Sequence, residues 1–197
     1  MVGNGWDVKY YTLSIEPDYN SKTIRGKNSI TFKVIKSNKD RLMQIDLQEP
    51  LRIDSALFER GKLEIEKEDN VWVLKVPRLK VGSESTIDIF YSGKPKESTN
   101  PPWDGGISWT RDSLGRPWIT LGAQLVGASV WFPCKVHQSD EPDNGASIAI
   151  TVPDTLVAIG NGRLNEQINY MDGTVTYKWQ VINPINNYGL AFYVGKV

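Results

Sequence analysis

Apolar residues recur at every second position through much of the chain. Tyr11, Leu13 and Ile15 fall on one side of a first segment, which Pro17-Asp18 ends. Ile24, Gly26, Ile30, Phe32 and Val34 share one side of a second, while Arg25, Lys27, Ser29, Thr31 and Lys33 share the other. Successive side chains of a strand point to opposite faces, so the second segment reads as a half-buried antiparallel strand, apolar inward and basic or hydroxylic outward. The stretch Asp18-Tyr19-Asn20-Ser21-Lys22 between the two reads as a hairpin loop.

Further strands are predicted over 43–47, 52–59, 62–67, 71–76 and 85–91, then over 118–121, 147–152, 157–159, 174–181 and 189–194. Asp69-Asn70 suits a turn because both residues tolerate left-handed backbone. Val81-Gly82-Ser83 punctuates the chain in the same way. Residues 93–117 are rich in Gly and Pro but hold Trp103 and Trp109, whose size favours burial, so an ordered loop crossing the sheets is expected. Residues 125–131 have room for one helical turn, and no segment sustains a 3.6-residue period. This pattern predicts an all-β fold of several antiparallel sheets, arranged as a sandwich or saddle. One domain is expected over 6–197, behind an artificial or disordered lead at 1–5.

Composition narrows the function classes. The 197 residues contain seven Trp and eight Tyr, and 40% are hydrophobic, enough for a real core. Lys plus Arg and Asp plus Glu number 23 each, so no net field draws nucleic acid or an anionic membrane. No apolar run approaches the roughly 20 residues of a membrane span. No secretory leader opens the chain, which leaves the compartment open; an exported parent with its leader removed is one such case.

The single histidine, His137, and single cysteine, Cys134, leave little for zinc ligation or general-base chemistry. His137, Asp140, Glu141 and Asp143 could be imagined as a metal site, but the alternating acidic spacing of calcium loops is absent, and a solvated acidic loop is the simpler expectation. Cys134, within Trp131-Phe132-Pro133-Cys134, reads as a buried, inert thiol rather than a nucleophile served by His137. Scattered acidic pairs could serve a glycosidase. Trp103, Trp109 and Trp118 could form a platform for carbohydrate or a partner protein, or could simply cover the core. No phosphate loop, nucleophile elbow or HExxH motif occurs. On chemistry alone the chain is a β-rich binding or scaffold domain.

Several stretches, in order, resemble the N-terminal domain of zinc aminopeptidases of the aminopeptidase N and leukotriene-hydrolase kind, peptidase family M1. Residues 7–15 are similar to that family's D-x-x-x-Y-x-L-x-L strand and residues 24–32 to its I-x-G-x-x-x-I-x-F strand; residues 42–47 resemble the strand that follows, ending in L-D-L. Gln124 stands nine residues before Pro133 of Trp131-Phe132-Pro133-Cys134, followed by Ile150-Thr151-Val152-Pro153 and Asn161-Gly162. Residues 188–195 resemble the strand that leads into the family's catalytic domain. The family's P-C-x-D-x-P gives way here to Pro133-Cys134-Lys135-Val136 and a longer loop, with Asp140-Glu141-Pro142 as the displaced D-E-P element.

The resemblance implies a parent enzyme that removes N-terminal residues from peptides with zinc-activated water. Its zinc-binding HExxH helix and its G-x-M-E-N strand are not in this sequence. It therefore implies that this fragment holds no catalytic residue, no metal and no cofactor of its own, and that it packs on the parent's catalytic domain. Its part in substrate binding falls to Gln124, which reaches the peptide N-terminus, beside Gly122 and Ala123, whose small size keeps the cleft open. The carbohydrate reading expects exposed, coplanar Trp103 and Trp109. The family reading expects both to pack inward and Gln124 to sit on an exposed edge loop.

Overall fold

The computed structural model describes residues 5–196 apart from 38, 102 and 138. Residues 1–4 of the expected lead lie outside the described residues. The strands, in chain order, are β1 (Trp6–Asp18), β2 (Thr23–Val34), β3 (Leu42–Asp46), β4 (Arg52–Phe58), β5 (Gly61–Lys62), β6 (Glu64–Glu68) and β7 (Val71–Lys75). The order continues with β8 (Glu84–Gly93), β9 (Gly106–Arg111), β10 (Pro117–Gly122), β11 (Ala146–Pro153), β12 (Val157–Gly160), β13 (Arg163–Asn169), β14 (Thr174–Val181) and β15 (Phe192–Gly195). Two single turns of 3-10 helix, Ala128–Val130 and Asn187–Gly189, are the described helical elements.

These strands build an eight-stranded sheet in the order β13-β14-β11-β1-β2-β8-β4-β5, a four-stranded sheet β12-β15-β10-β9 and a three-stranded sheet β3-β7-β6. The all-β, multi-sheet expectation holds. Pairing is antiparallel except between β1 and β11, which run parallel with Tyr11 opposite Ala146. A parallel pair needs a long crossover, and the chain between these two strands supplies one.

The alternation read from the sequence is the alternation of burial. Tyr11, Leu13 and Ile15 are sealed on β1, as are Ile24, Ile30, Phe32 and Val34 on β2. Gly26 occupies the same inner face because a side chain has no room there: its Cβ would lie 2.6 Å from the Tyr91 ring. Between the sheets runs Trp131-Phe132-Pro133-Cys134, with Trp131, Phe132 and Cys134 wholly buried. Phe132 meets Tyr11 edge to face at 5.6 Å, Trp131 lies 5.3 Å from Phe192, and the Asn28 amide donates to the Pro133 carbonyl at 2.9 Å. This segment is therefore a core plug that ties the large sheet to the four-stranded one, each aromatic adding apolar burial and a favourable ring contact.

Four expectations need correction. Within 93–117 lies a strand, β9, whose neighbour is β10; its residues 106–109 are all buried, so no alternation marked it. Strand β13 was missed for the opposite reason, since its Arg-Leu-Asn-Glu-Gln-Ile-Asn is exposed on nearly every side and only the ladder to β14 defines it. The strand expected over 189–194 is a 3-10 turn followed by β15. Strand β1 also runs through Pro17 and Asp18 rather than stopping there, with Pro17 opposite Ile24. The helical turn expected within 125–131 is present at Ala128–Val130. No described helix is long and apolar enough to cross a membrane.

Candidate functional site

Three chain segments converge at one end of the four-stranded sheet. Strand β10 leaves the sheet at Gly122, β9 enters it opposite at Gly106, and β15 enters on the other side. Extending the antiparallel register past Thr120↔Tyr193 sets residue 189 opposite residue 124. The ladder thus brings Gln124, just past β10, to the turn just before β15, although 64 residues separate Gln124 from Tyr188.

Gln124 is exposed, and its Oε1 accepts a hydrogen bond from the Tyr188 hydroxyl at 2.8 Å. The loop that carries it is closed by the Ala123 carbonyl, which accepts from the backbone N–H groups of Val126 at 3.2 Å and Gly127 at 2.9 Å. Leu125 takes a left-handed φ of 63° and stands 85% exposed, a strained backbone and an apolar side chain at the loop tip. Beneath, the Gln48 side chain donates to the Val126 carbonyl and, at 3.0 Å, to the Ser129 hydroxyl. Gly105 lets the loop approach: a Cβ there would fall 2.3 Å from the Gln124 carbonyl oxygen, which is backbone and cannot swing aside.

The opposite turn is fixed equally well. Asn186 caps it by accepting from the Tyr188 N–H at 2.9 Å, and the buried Asn187 amide donates to the Lys135 carbonyl at 2.8 Å. The Trp131 indole donates to the Leu190 carbonyl at 3.2 Å, tying this turn to the core plug. Tyr188 itself remains 46% exposed. Gly122, Ala123 and Gln124 thus follow one another where β10 ends, with Tyr188 across from Gln124. Sequence reasoning missed Tyr188, and only the β10–β15 register could have found it. A Cβ at Gly122 would meet nothing within 4 Å, so its small size is not demanded by this domain's own packing.

Neither lone residue forms a site. Burial, and then the nearby Asp46 carboxylate, push the Cys134 thiol well above its usual range, so the neutral form dominates and it is a poor nucleophile. The exposed His137 meets the Ser139 hydroxyl through Nδ1 at 3.0 Å. Among the described residues no group of three His, Cys, Asp or Glu side chains could hold a metal ion.

The loop expected to be a solvated acidic one is anchored instead. Asp140 is 7% exposed; it accepts from the Val8 N–H at 3.0 Å and pairs with the buried Lys135 ammonium. That ammonium also donates to the Trp6 carbonyl and lies 4.7 Å from the Trp6 ring centroid. These contacts leave Asp140 unavailable to a metal.

The tryptophans divide. Trp109 is buried, edge-on to Tyr19 at 6.5 Å, whereas Trp103 is 73% exposed, against the expectation that both pack inward. With Trp109 sealed, the two form no coplanar platform. A concavity of about 900 Å³ lies elsewhere, lined by Pro17, Ile24, Arg25, Arg116, Val152 and Lys196, and none of Gly122, Ala123 and Gln124 borders it. Arg25 and Arg116 in that wall are already paired with Glu16 and Asp112.

Comparison with known proteins gives the fold a family. No curated protein matches the sequence. An M1 zinc metallopeptidase from Deinococcus radiodurans superposes with a TM-score of 0.81 at 20% identity, over 99% of this chain and 43% of that one. A mutant form of it bound to a Tyr-Ser-Ala substrate gives 0.78 at 21% identity, over 97% and 42%. Yeast LTA4 hydrolase in complex with bestatin gives 0.74 at 16% identity, over 98% and 29%. At these identities the likeness establishes the fold, and the chain spans less than half the length of each of these proteins. The family model described as the peptidase M1 N-terminal domain matches residues 8–188. The chain belongs to the peptidase M1 N-terminal domain family.

Proposed function

We propose that this chain is the wall of a substrate cleft in a larger zinc-dependent aminopeptidase, and that the loop carrying Gln124 reads the peptide's N-terminal end. The observation that carries this reading is Gln124 itself. It is an exposed polar side chain held by Tyr188 on a loop fixed from below, in a domain of the M1 N-terminal family. A neutral amide offers oxygen to the substrate ammonium and N–H to a carbonyl, giving direction without the stronger attraction of a carboxylate. Gly122 and Ala123 precede Gln124 directly, and a Cβ at 122 would meet no atom of this domain within 4 Å, so bulk there would extend toward the proposed cleft.

Hydrolysis belongs to the parent's catalytic domain. A zinc ion held there would supply an activated water and Lewis-acid polarisation of the scissile carbonyl. The residues of this chain orient the substrate and exclude water from one side of the cleft. The Tyr-Ser-Ala peptide held by the Deinococcus enzyme is of the substrate class proposed here.

The test compares the isolated 197-residue chain with the full-length parent. The parent is expected to release nitroaniline from an aminoacyl 4-nitroanilide in a zinc-dependent way, and the isolated chain to release none with zinc added. Zinc-dependent turnover by the isolated chain would refute the assignment.

A further inference from the structure

Tyr188 has no part in the recognition of the peptide N-terminus by Gln124 alone, yet its hydroxyl is the group nearest to that amide. Resting on the reading of Gln124 given above, we propose that Tyr188 is a second binding residue for the substrate's ammonium, and that the two side chains form one amine-recognition site.

The hydrogen-bond inventory sets the roles. A phenol has one hydrogen to give, and Tyr188 gives it to Gln124 Oε1 at 2.8 Å. Its hydroxyl can then act toward a ligand only as an acceptor. Gln124 Oε1 has used one of its two acceptor directions and keeps the other. Two acceptor oxygens thus lie 2.8 Å apart on two exposed side chains. A primary ammonium carries three N–H donors and satisfies both oxygens at once, while keeping one donor for a group across the cleft. Neither oxygen is charged, so the pair selects for donors rather than for positive charge at long range.

The geometry is built to persist. Tyr188 sits on a turn where the Asn186 side chain accepts from the Tyr188 N–H, the side-chain amide of the preceding Asn187 donates to the Lys135 carbonyl, and the Leu190 carbonyl accepts from the Trp131 indole. Gln124 sits on a loop closed at Ala123 and supported by Gln48. Both halves are thus ordered before a ligand arrives, which lowers the entropy lost on binding.

The experiment uses the full-length parent enzyme and two inhibitors, leucine hydroxamate and 4-methylpentanohydroxamic acid, which differ by the α-amine. Inhibition constants are measured for wild type, Tyr188→Phe and Gln124→Ala. Phenylalanine keeps the ring and removes only the hydroxyl. Each substitution is expected to weaken leucine hydroxamate about 10-fold and the des-amino compound by less than about twofold, because a hydrogen bond to a charged group is lost in the first case alone. Selective weakening by Gln124→Ala with none by Tyr188→Phe overturns the role of Tyr188 and leaves that of Gln124 standing. Selective weakening by neither overturns both. Equal weakening of the two inhibitors by Tyr188→Phe assigns the hydroxyl to structure and overturns the proposal as well.

Discussion

Asp140 and Lys135 show how a single pair can decide the path of a loop. Side-chain exposures of 10% for Lys135 and 6% for Asp140 make theirs the most buried ion pair among the described residues. Neither charge is left to the other alone, since the Val8 N–H and the Trp6 carbonyl supply further hydrogen bonds. A buried pair is no guarantee of net stability, because desolvation offsets its attraction. Removing one partner is another matter, since it strands a charge. Asp140→Ala is expected to cost about 3 kcal/mol in urea unfolding, with the replacement of both residues by Leu or Met costing less. A single-variant loss below about 1 kcal/mol would show that water reaches Lys135 and that the pair is not sealed. The sequence around Asp140, with Ser139, Glu141 and Asp143, looks solvated; besides Lys135, five residues away, its partner is the Val8 N–H, 132 residues away.

Among the elements, the register of β9, β10 and β15 brings the two halves of the candidate site together. The pairing Gly122↔Gly106 ends the β9–β10 ladder where the Gln124 loop begins, and Gly105 directly precedes Gly106. A methyl group at Gly105 would collide with the Gln124 carbonyl and the Val126 side chain, at 2.3 Å and 2.2 Å. Gly105→Ala is therefore expected to push the loop outward, destabilising the fold by about 1–3 kcal/mol. In the full-length enzyme it should also raise KM for an aminoacyl 4-nitroanilide. An unchanged KM would mean that the loop's position does not govern binding.

The same elements mark how far sequence reading reached. Strands with one wet and one dry face, such as β2 and β11, were legible because alternation records both environments. Strand β9 is dry on both faces and β13 is wet on nearly all sides, so their patterns carry no period of two. Gln124 entered by resemblance, not by any local chemical signature. Its partner Tyr188 came from a ladder that joins segments far apart in sequence.

At the scale of the whole molecule, a core plug ties the large sheet to the four-stranded one, and the loops at one end of the smaller of the two form the proposed wall of a substrate cleft. Cys134, the residue of the lone Cys and His most suited to nucleophilic work, is spent on packing, and Asp140 on an internal pair. At the converging strand ends, Gln124 and Tyr188 are exposed, neutral and held by hydrogen bonds beside the apolar Leu125, a set suited to orienting a substrate. The most direct test of this role is steady-state hydrolysis of an aminoacyl 4-nitroanilide by the full-length enzyme with Gln124→Ala. The predicted result is a KM about 10-fold or more above wild type with kcat within about threefold, the mark of binding lost equally in ground and transition states. An unchanged KM in a correctly folded variant would contradict it.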